Sequence, residues 1–118
     1  MIRLDKDLII LNADGKQIPV YIEGDAPAEL PDEYYTVSED STSNAVSADN
    51  KAKEHVYEFT LKWYTKDVTR LYSGLITAIA HLINKGYDIE GVGYHNGTYQ
   101  GTWFSRMVEV EKIENLED

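Results

Sequence analysis

The feature that most constrains this chain is a change of period at residue 67. Before it, HVYEFTLKWY (55–64) alternates. Tyr57, Phe59, Leu61 and Trp63 fall on one face of a strand, and Glu58, Thr60 and Lys62 fall on the other. After it, DVTRLYSGLITAIAHLINKG puts Leu71, Leu75, Ala78, Ile79 and Leu82 at helical spacing. Asp67 suits the N-cap, and Gly86, following Lys85, suits a left-handed C-terminal cap. Gly74 costs a helix about 1 kcal/mol against alanine, so close helix–sheet packing is its expected compensation. A half-buried strand running into an amphipathic helix calls for a sheet with a helix on one face.

The flanking segments supply further strands. QIPVYIE reads as a strand with Pro19 at its start or on a sheet edge. Upstream, residues 4–11 admit two readings. One is the first arm of a hairpin about Asp14-Gly15; the other is a short helix with Leu4, Leu8 and Leu11 on one face. EYYTVSE is a short strand after the Pro-rich loop EGDAPAELPDE, and YDIEGVGYHNGTYQGTWFSRMVEVEKI holds two strands with Asn96-Gly97 as the predicted hairpin turn. The acidic tail ENLED is expected to fray. The expected class is therefore α+β: a small, mostly antiparallel β-sheet packed against one long α-helix, with room for a second short N-terminal helix. The 118 residues suit a single domain, 1–118. Between two of its strands lies EDSTSNAVSADNKAKEH, a polar insert. Connections in compact domains usually run roughly 4–6 residues, so the stretch over about 40–54 is expected to be a mobile loop.

Composition narrows the chemistry. The absence of cysteine removes disulfides, thiolate nucleophiles and Cys-based zinc sites. MIRLDKDLIILNADG lacks the pattern of a secretory signal, and no run approaches the roughly 20 apolar residues of a membrane span. The expectation is a soluble protein, made in the cytoplasm, with no membrane partner. A net charge of -10 repels phosphate backbones and argues against general nucleic-acid binding. No HExxH, phosphate loop or GxSxG elbow is present. His81 reads as a partly buried polar helix residue. Asp88, Glu90 and His95, and separately Asp40, Asp49 and Glu54, lack regular metal-ligand spacing. No enzyme activity, cofactor or metal is expected.

Tyrosine is the unusual component, at nine residues. Strand propensity and core filling account for most of them. Tyr34, Tyr35 and Tyr64, however, cannot all face one side of a sheet. Aromatics recur at protein interfaces, so a second sheet face used for association is expected, with Tyr34, Tyr35 and Tyr64 among its contacts. The insert adds Asp40, Ser43, Asn44, Asp49, Asn50 and Lys53 as candidate assembly contacts.

The order of these segments carries a resemblance. A PVY strand, a Pro-rich loop, EYYTVSED, a polar insert, an aromatic strand ending KWYTKD, the helix LYSGLITAIAHLINKGY and GVGYHNGTYQGTWFSRMVEVEKIE follow one another. Over roughly Ile18 to Glu114 the chain resembles the tail terminators of long-tailed bacteriophages, small tail-completion proteins that join tail to head. The resemblance implies a structural virion protein at the head–tail interface that forms a hexameric ring. It implies as partners the major tail tube protein on one ring face and a head connector or stopper protein on the other. DNA would pass through the ring without sequence-specific binding. The resemblance also favours the helical reading of residues 4–11. The alternative is a small phage accessory binding module or metal-dependent enzyme built on the Asp88, Glu90 and His95 region.

Overall fold

A computed structural model describes residues 2–46, 52–91, 94–99 and 102–115. The elements in chain order are α1 (Leu4–Asp7), β1 (Val20–Ile22), β2 (Glu33–Val46), β3 (Ala52–Thr65), a 3-10 turn (Val68–Arg70), α2 (Leu71–Asn84), β4 (Asp88–Ile89), β5 (Tyr94–Tyr99) and β6 (Trp103–Asn115). The fold is α+β around one mixed sheet of order β1-β2-β3-β6-β4, with β5 also pairing β6. β1 runs parallel to β2, and the other pairings are antiparallel.

Pro19 precedes β1, which is an edge strand, so the missing proline N–H costs no ladder bond. Tyr57, Phe59, Leu61 and Trp63 of β3 are all buried, as the alternation requires. They form the core with Tyr35 and Val37 of β2, Val108 and Val110 of β6, and Leu71, Leu75, Ala78 and Leu82 of α2. Asp67 caps the 3-10 turn, its carboxylate accepting the Thr69 amide at 3.0 Å. Gly86 takes φ 91° after the helix. The Tyr87 amide reaches the Leu82 carbonyl and the Gly86 amide reaches the Ile83 carbonyl, both at 3.0 Å. Those two bonds close a Schellman cap, which needs a residue without a Cβ at that position.

Three expectations are corrected, and the two readings left open at residues 4–11 are resolved. α2 is 14 residues, an ordinary helix rather than a long one. Residues 4–11 contain both rival features. One helical turn, Leu4–Asp7, buries Leu4, and the chain then extends into a bridge between Leu11 and Gln17 around the Asp14-Gly15 turn. Asn96-Gly97 is not the hairpin turn. The register skips from His95 to Gly97 inside β5, which goes on to pair Tyr99 with Trp103. An extra residue in one strand is a bulge, and glycine suits a bulge as well as a turn. Lastly, residues 40–46 and 52–54 are not loop but strand, paired from Ser41↔Glu58 to Val46↔Ala52.

That last correction sets the outline of the molecule. Fourteen strand residues span about 46 Å at about 3.3 Å per residue. The molecule measures 52 × 27 × 26 Å, so the β2–β3 hairpin accounts for its long axis. Buried positions on β3 begin at Tyr57, whereas Glu54, His55 and Val56 are half-exposed. Beyond Tyr57 the sheet continues as a polar arm of β2, β3 and the end of β6. The register shift between Glu39 and Ser41 marks where the arm leaves the body.

Candidate functional site

The predicted tyrosine contacts are internal. Tyr35 is fully buried, and its hydroxyl donates to the Gly74 carbonyl at 2.8 Å. Tyr34 does face the opposite side of the sheet, but that side is covered there by the chain itself. Tyr34 stacks on Tyr64 with ring centroids 4.6 Å apart, and Trp103 and Tyr21 close around it at 6.3 and 5.9 Å. The Trp103 indole N–H donates to the Pro31 carbonyl at 3.0 Å, fixing the Pro-rich loop over the cluster. Tyr34 and Tyr35 are thus lost as surface contacts, and Tyr64 is half-buried beside them. Two sheet faces each with its own aromatic core explain the tyrosine count without an interface.

The insert residues divide differently. Asp40 is exposed at the bulge and accepts hydrogen bonds from Thr60 (2.5 Å) and Ser38 (3.1 Å). Ser43 and Asn44 lie in β2, opposite Val56 and His55, and Lys53 lies in β3. Asp49 and Asn50 lie outside the described residues. The polar arm therefore brings most of these positions onto one paired β-ladder rather than a loop. His81 is half-buried, with Nε2 2.9 Å from the Asp7 carbonyl and 3.5 Å from the Ile9 amide. A protonated Nε2 donating to the carbonyl fits the shorter distance. The residue ties α2 to the N-terminal segment and serves structure, as expected.

Two features escaped the sequence reading. The first is a second apolar stripe on α2. Tyr72, Ile76, Ile79 and Ile83 recur at the same helical interval as the buried set, one position further round. Tyr72, Ile76 and Ile79, with Leu75, Ile89, Glu90 and Arg106, line a groove of about 290 Å³ between α2 and the β4 side of the sheet. The Arg106 guanidinium stands 5.2 Å over the Tyr72 ring. The signal was visible in LYSGLITAIAHLIN, where apolar residues outnumber what one buried face can use.

The second is a carboxylate cluster on the sheet face away from α2. Glu58 and Glu111 are direct cross-strand partners, and Asp88 opposes Glu111 from the other side. The carboxylate oxygens of Glu58, Glu90 and Glu111 lie within 4.8 Å of one another. Desolvation, then the hydrogen bond and charge of Glu111, then the charges of Glu58 and Asp88, hold the Glu90 carboxyl above its usual range. These glutamates are the described side chains placed to offer oxygens to a hard divalent cation. The histidine expected beside them, His95, has its side chain outside the described residues. Without an ion the arrangement is like-charge repulsion between neighbouring strands, which destabilises.

A raised carboxylate pKa means the folded state binds its proton more tightly than the unfolded chain. Glu90 therefore weakens the fold as pH rises through its folded pKa, and that penalty vanishes on acidification. Glu90→Gln is expected to raise the melting temperature at pH 7 by a few °C, on the order of 1–4 °C. The gain should shrink as the pH is taken down towards 4.5 in thermal melts. An equal gain at both pH values would place the effect elsewhere.

No known protein family matches the chain, and no curated protein is significantly similar to it. Among the described residues, no helix is long and apolar enough to cross a membrane.

Proposed function

We propose that this chain is a structural assembly protein that caps a bacteriophage tail tube as a ring and offers the opposite face to the head, rather than an enzyme. In this reading its partners are copies of itself, the major tail tube protein and a head connector or stopper, and it resides in the virion at the head–tail interface. The observation that carries the reading is the β-arm. A compact body with a preformed polar ladder projecting beyond its helix layer suits a subunit that must reach a neighbour. A rigid arm loses little conformational entropy on binding, whereas a disordered loop must first be ordered. The distribution of charge supports the same reading. Asp40, Glu58, Asp88, Glu109 and Glu111 lie on the sheet face away from α2, where an acidic wall would let DNA pass without gripping its phosphates. Capping then acts by occupation: a ring seated on the tube end covers the surface the next tube subunit would use.

The test shortens the arm without touching the body. Removing Ser43–Val46 together with Ala52–Val56 leaves Thr42↔Tyr57 as the last pair of the hairpin. The shortened protein is expected to melt within about 4 °C of the parent, because Tyr57, Phe59, Leu61 and Trp63 of the core are all kept. Its capture by purified tail tubes, counted by negative-stain microscopy, is expected to fall more than tenfold. Equal capture would remove the arm from the interface, and a full-length protein that ignores tube ends would sink the tail reading altogether.

A further inference from the structure

Apart from Val68 in the 3-10 turn, the exposed large hydrophobic side chains described in the body sort into two groups at opposite edges of the sheet. On the β4 side, Tyr72 is 62% exposed, Ile76 42% and Ile83 54%, and they flank the groove over Ile89. On the β1 side, Ile9 is 51% exposed and Leu11 60%, with Ile22 of β1 also exposed. α2 separates the groups. The N-terminal segment bonds to it at His81 and shares a cavity with Gly74 and Thr77, whereas the stripe uses Tyr72, Ile76, Ile79 and Ile83. At about 100° per residue those two sets fall on opposite sides of the helix axis. β1 and β4 are the two ends of the strand order.

We propose that copies of this chain associate head to tail, the Ile9–Leu11 segment of one copy seating on the Tyr72–Ile83 stripe of the next. The occupant is a second copy because each patch has its complement on the far edge of the same molecule, in the same layer above the sheet. Charge supports the pairing. In a chain of net charge -10, α2 contains no acidic residue, and Arg106 stands over Tyr72 on the stripe. The opposing segment carries Asp7 and Asp14 on either side of Ile9 and Leu11. Two different patches make the contact heterologous, and its rotation decides between a closed ring and an open filament. Apolar patches on monomers reach roughly 300–600 Å², less than the roughly 800 Å² per partner of a standard interface. The contact is therefore weak in solution and strengthened when a tube end holds the copies side by side. The proposal rests on the ring reading for its setting, but its test uses the chain alone.

Leu11→Asp removes one patch and Ile76→Asp the other; both residues are exposed, so circular dichroism should show the parent fold. In analytical ultracentrifugation up to about 1 mM, the parent is expected to form concentration-dependent species larger than a dimer. Each variant alone should associate at least tenfold more weakly. An equimolar mixture of the two should stop at one-to-one dimers, since each keeps the patch the other has lost. Association of Leu11→Asp alone at parental strength would overturn the proposal, because the stripe would then be pairing with itself. A parent that stays monomeric up to 1 mM would overturn it too. Self-association with no capture by tail tubes would leave this contact standing and remove the tail reading, and the reverse pattern would do the opposite.

Discussion

Gly74→Ala is expected to lower the melting temperature by roughly 4–15 °C, although alanine is the better helix former. A Cβ at residue 74 would land inside van der Waals contact with Cε2, Cζ2 and Nε1 of Trp63. That ring cannot swing away. It is fully buried, its indole N–H donates to the Arg70 carbonyl at 3.1 Å, and Tyr35 packs against it at 4.7 Å. The helix must lift instead. Lifting it strains the bond from the Tyr35 hydroxyl to the Gly74 carbonyl. Overpacking costs typically 1–3 kcal/mol and a buried hydrogen bond about 1 kcal/mol more, against about 1 kcal/mol regained in helix propensity. The net loss is about 1–3 kcal/mol, at about 4–5 °C per kcal/mol for a domain of this size. Trp63→Phe removes the obstructing atoms. In that background Gly74→Ala should cost at least about 1 kcal/mol less, a coupling read from a double-mutant cycle. A neutral or stabilising Gly74→Ala in the parent would show that the helix has slack at this point.

The same glycine shows what kind of feature can be read from residues alone. Gly74, Gly86, Asp67 and the β3 alternation were legible because each is a local choice with one sensible explanation: close approach, a left-handed cap, an N-cap, a half-buried strand. The failures have the opposite character. EDSTSNAVSADNKAKEH has the composition of flexible chain, and nothing within it says that β6 will pair along the far side of β3 and hold the hairpin open as a three-stranded ladder. Long-range pairing overrode local propensity. That Tyr34, Tyr35 and Tyr64 cannot share one sheet face follows from the two-residue period, and Tyr34 and Tyr64 are the pair on the face away from α2. Whether that face meets a neighbour or the chain's own Pro-rich loop depends on where Pro31 returns, which no period encodes. The glutamates converge for a similar reason. Glu58, Glu90 and Glu111 are more than 20 residues apart, and only the β3-β6-β4 order brings them together. The α2 stripe is different. It was written in the sequence and overlooked, because one buried face satisfied the helix reading and the second set was not counted.

Glu33→Ala should separate the two surfaces proposed for assembly. Glu33 begins β2, opposite Thr65 at the end of β3, at the far end of the hairpin from the arm. One carboxylate oxygen accepts from the Thr65 hydroxyl at 2.8 Å and from Arg70 Nε at 2.5 Å. Thr65 is fully buried and in turn accepts the Asp67 amide at 3.0 Å. Asp67 holds Thr69, so a chain of hydrogen bonds runs from the sheet corner through the 3-10 turn to the start of α2. Removing the acceptor leaves the buried hydroxyl only a long 3.4 Å bond to the Asp67 carbonyl, at a cost of about 1–3 kcal/mol. Arg70 is nearly half-exposed, so the ion pair adds at most about 0.5 kcal/mol. Glu33→Ala is thus expected to lose about 2 kcal/mol, or roughly 8–10 °C, and to speed hydrogen exchange at Thr69 to Leu71. Glu33→Gln keeps an oxygen for Thr65 and should lose less than half as much. If both substitutions cost the same, the charge and not the acceptor holds this corner. With the helix start loosened, the stripe from Tyr72 onward loses its fixed height above the sheet while the arm's ladder is untouched. Self-association should therefore weaken in Glu33→Ala more than the protein's contact with tail tubes does.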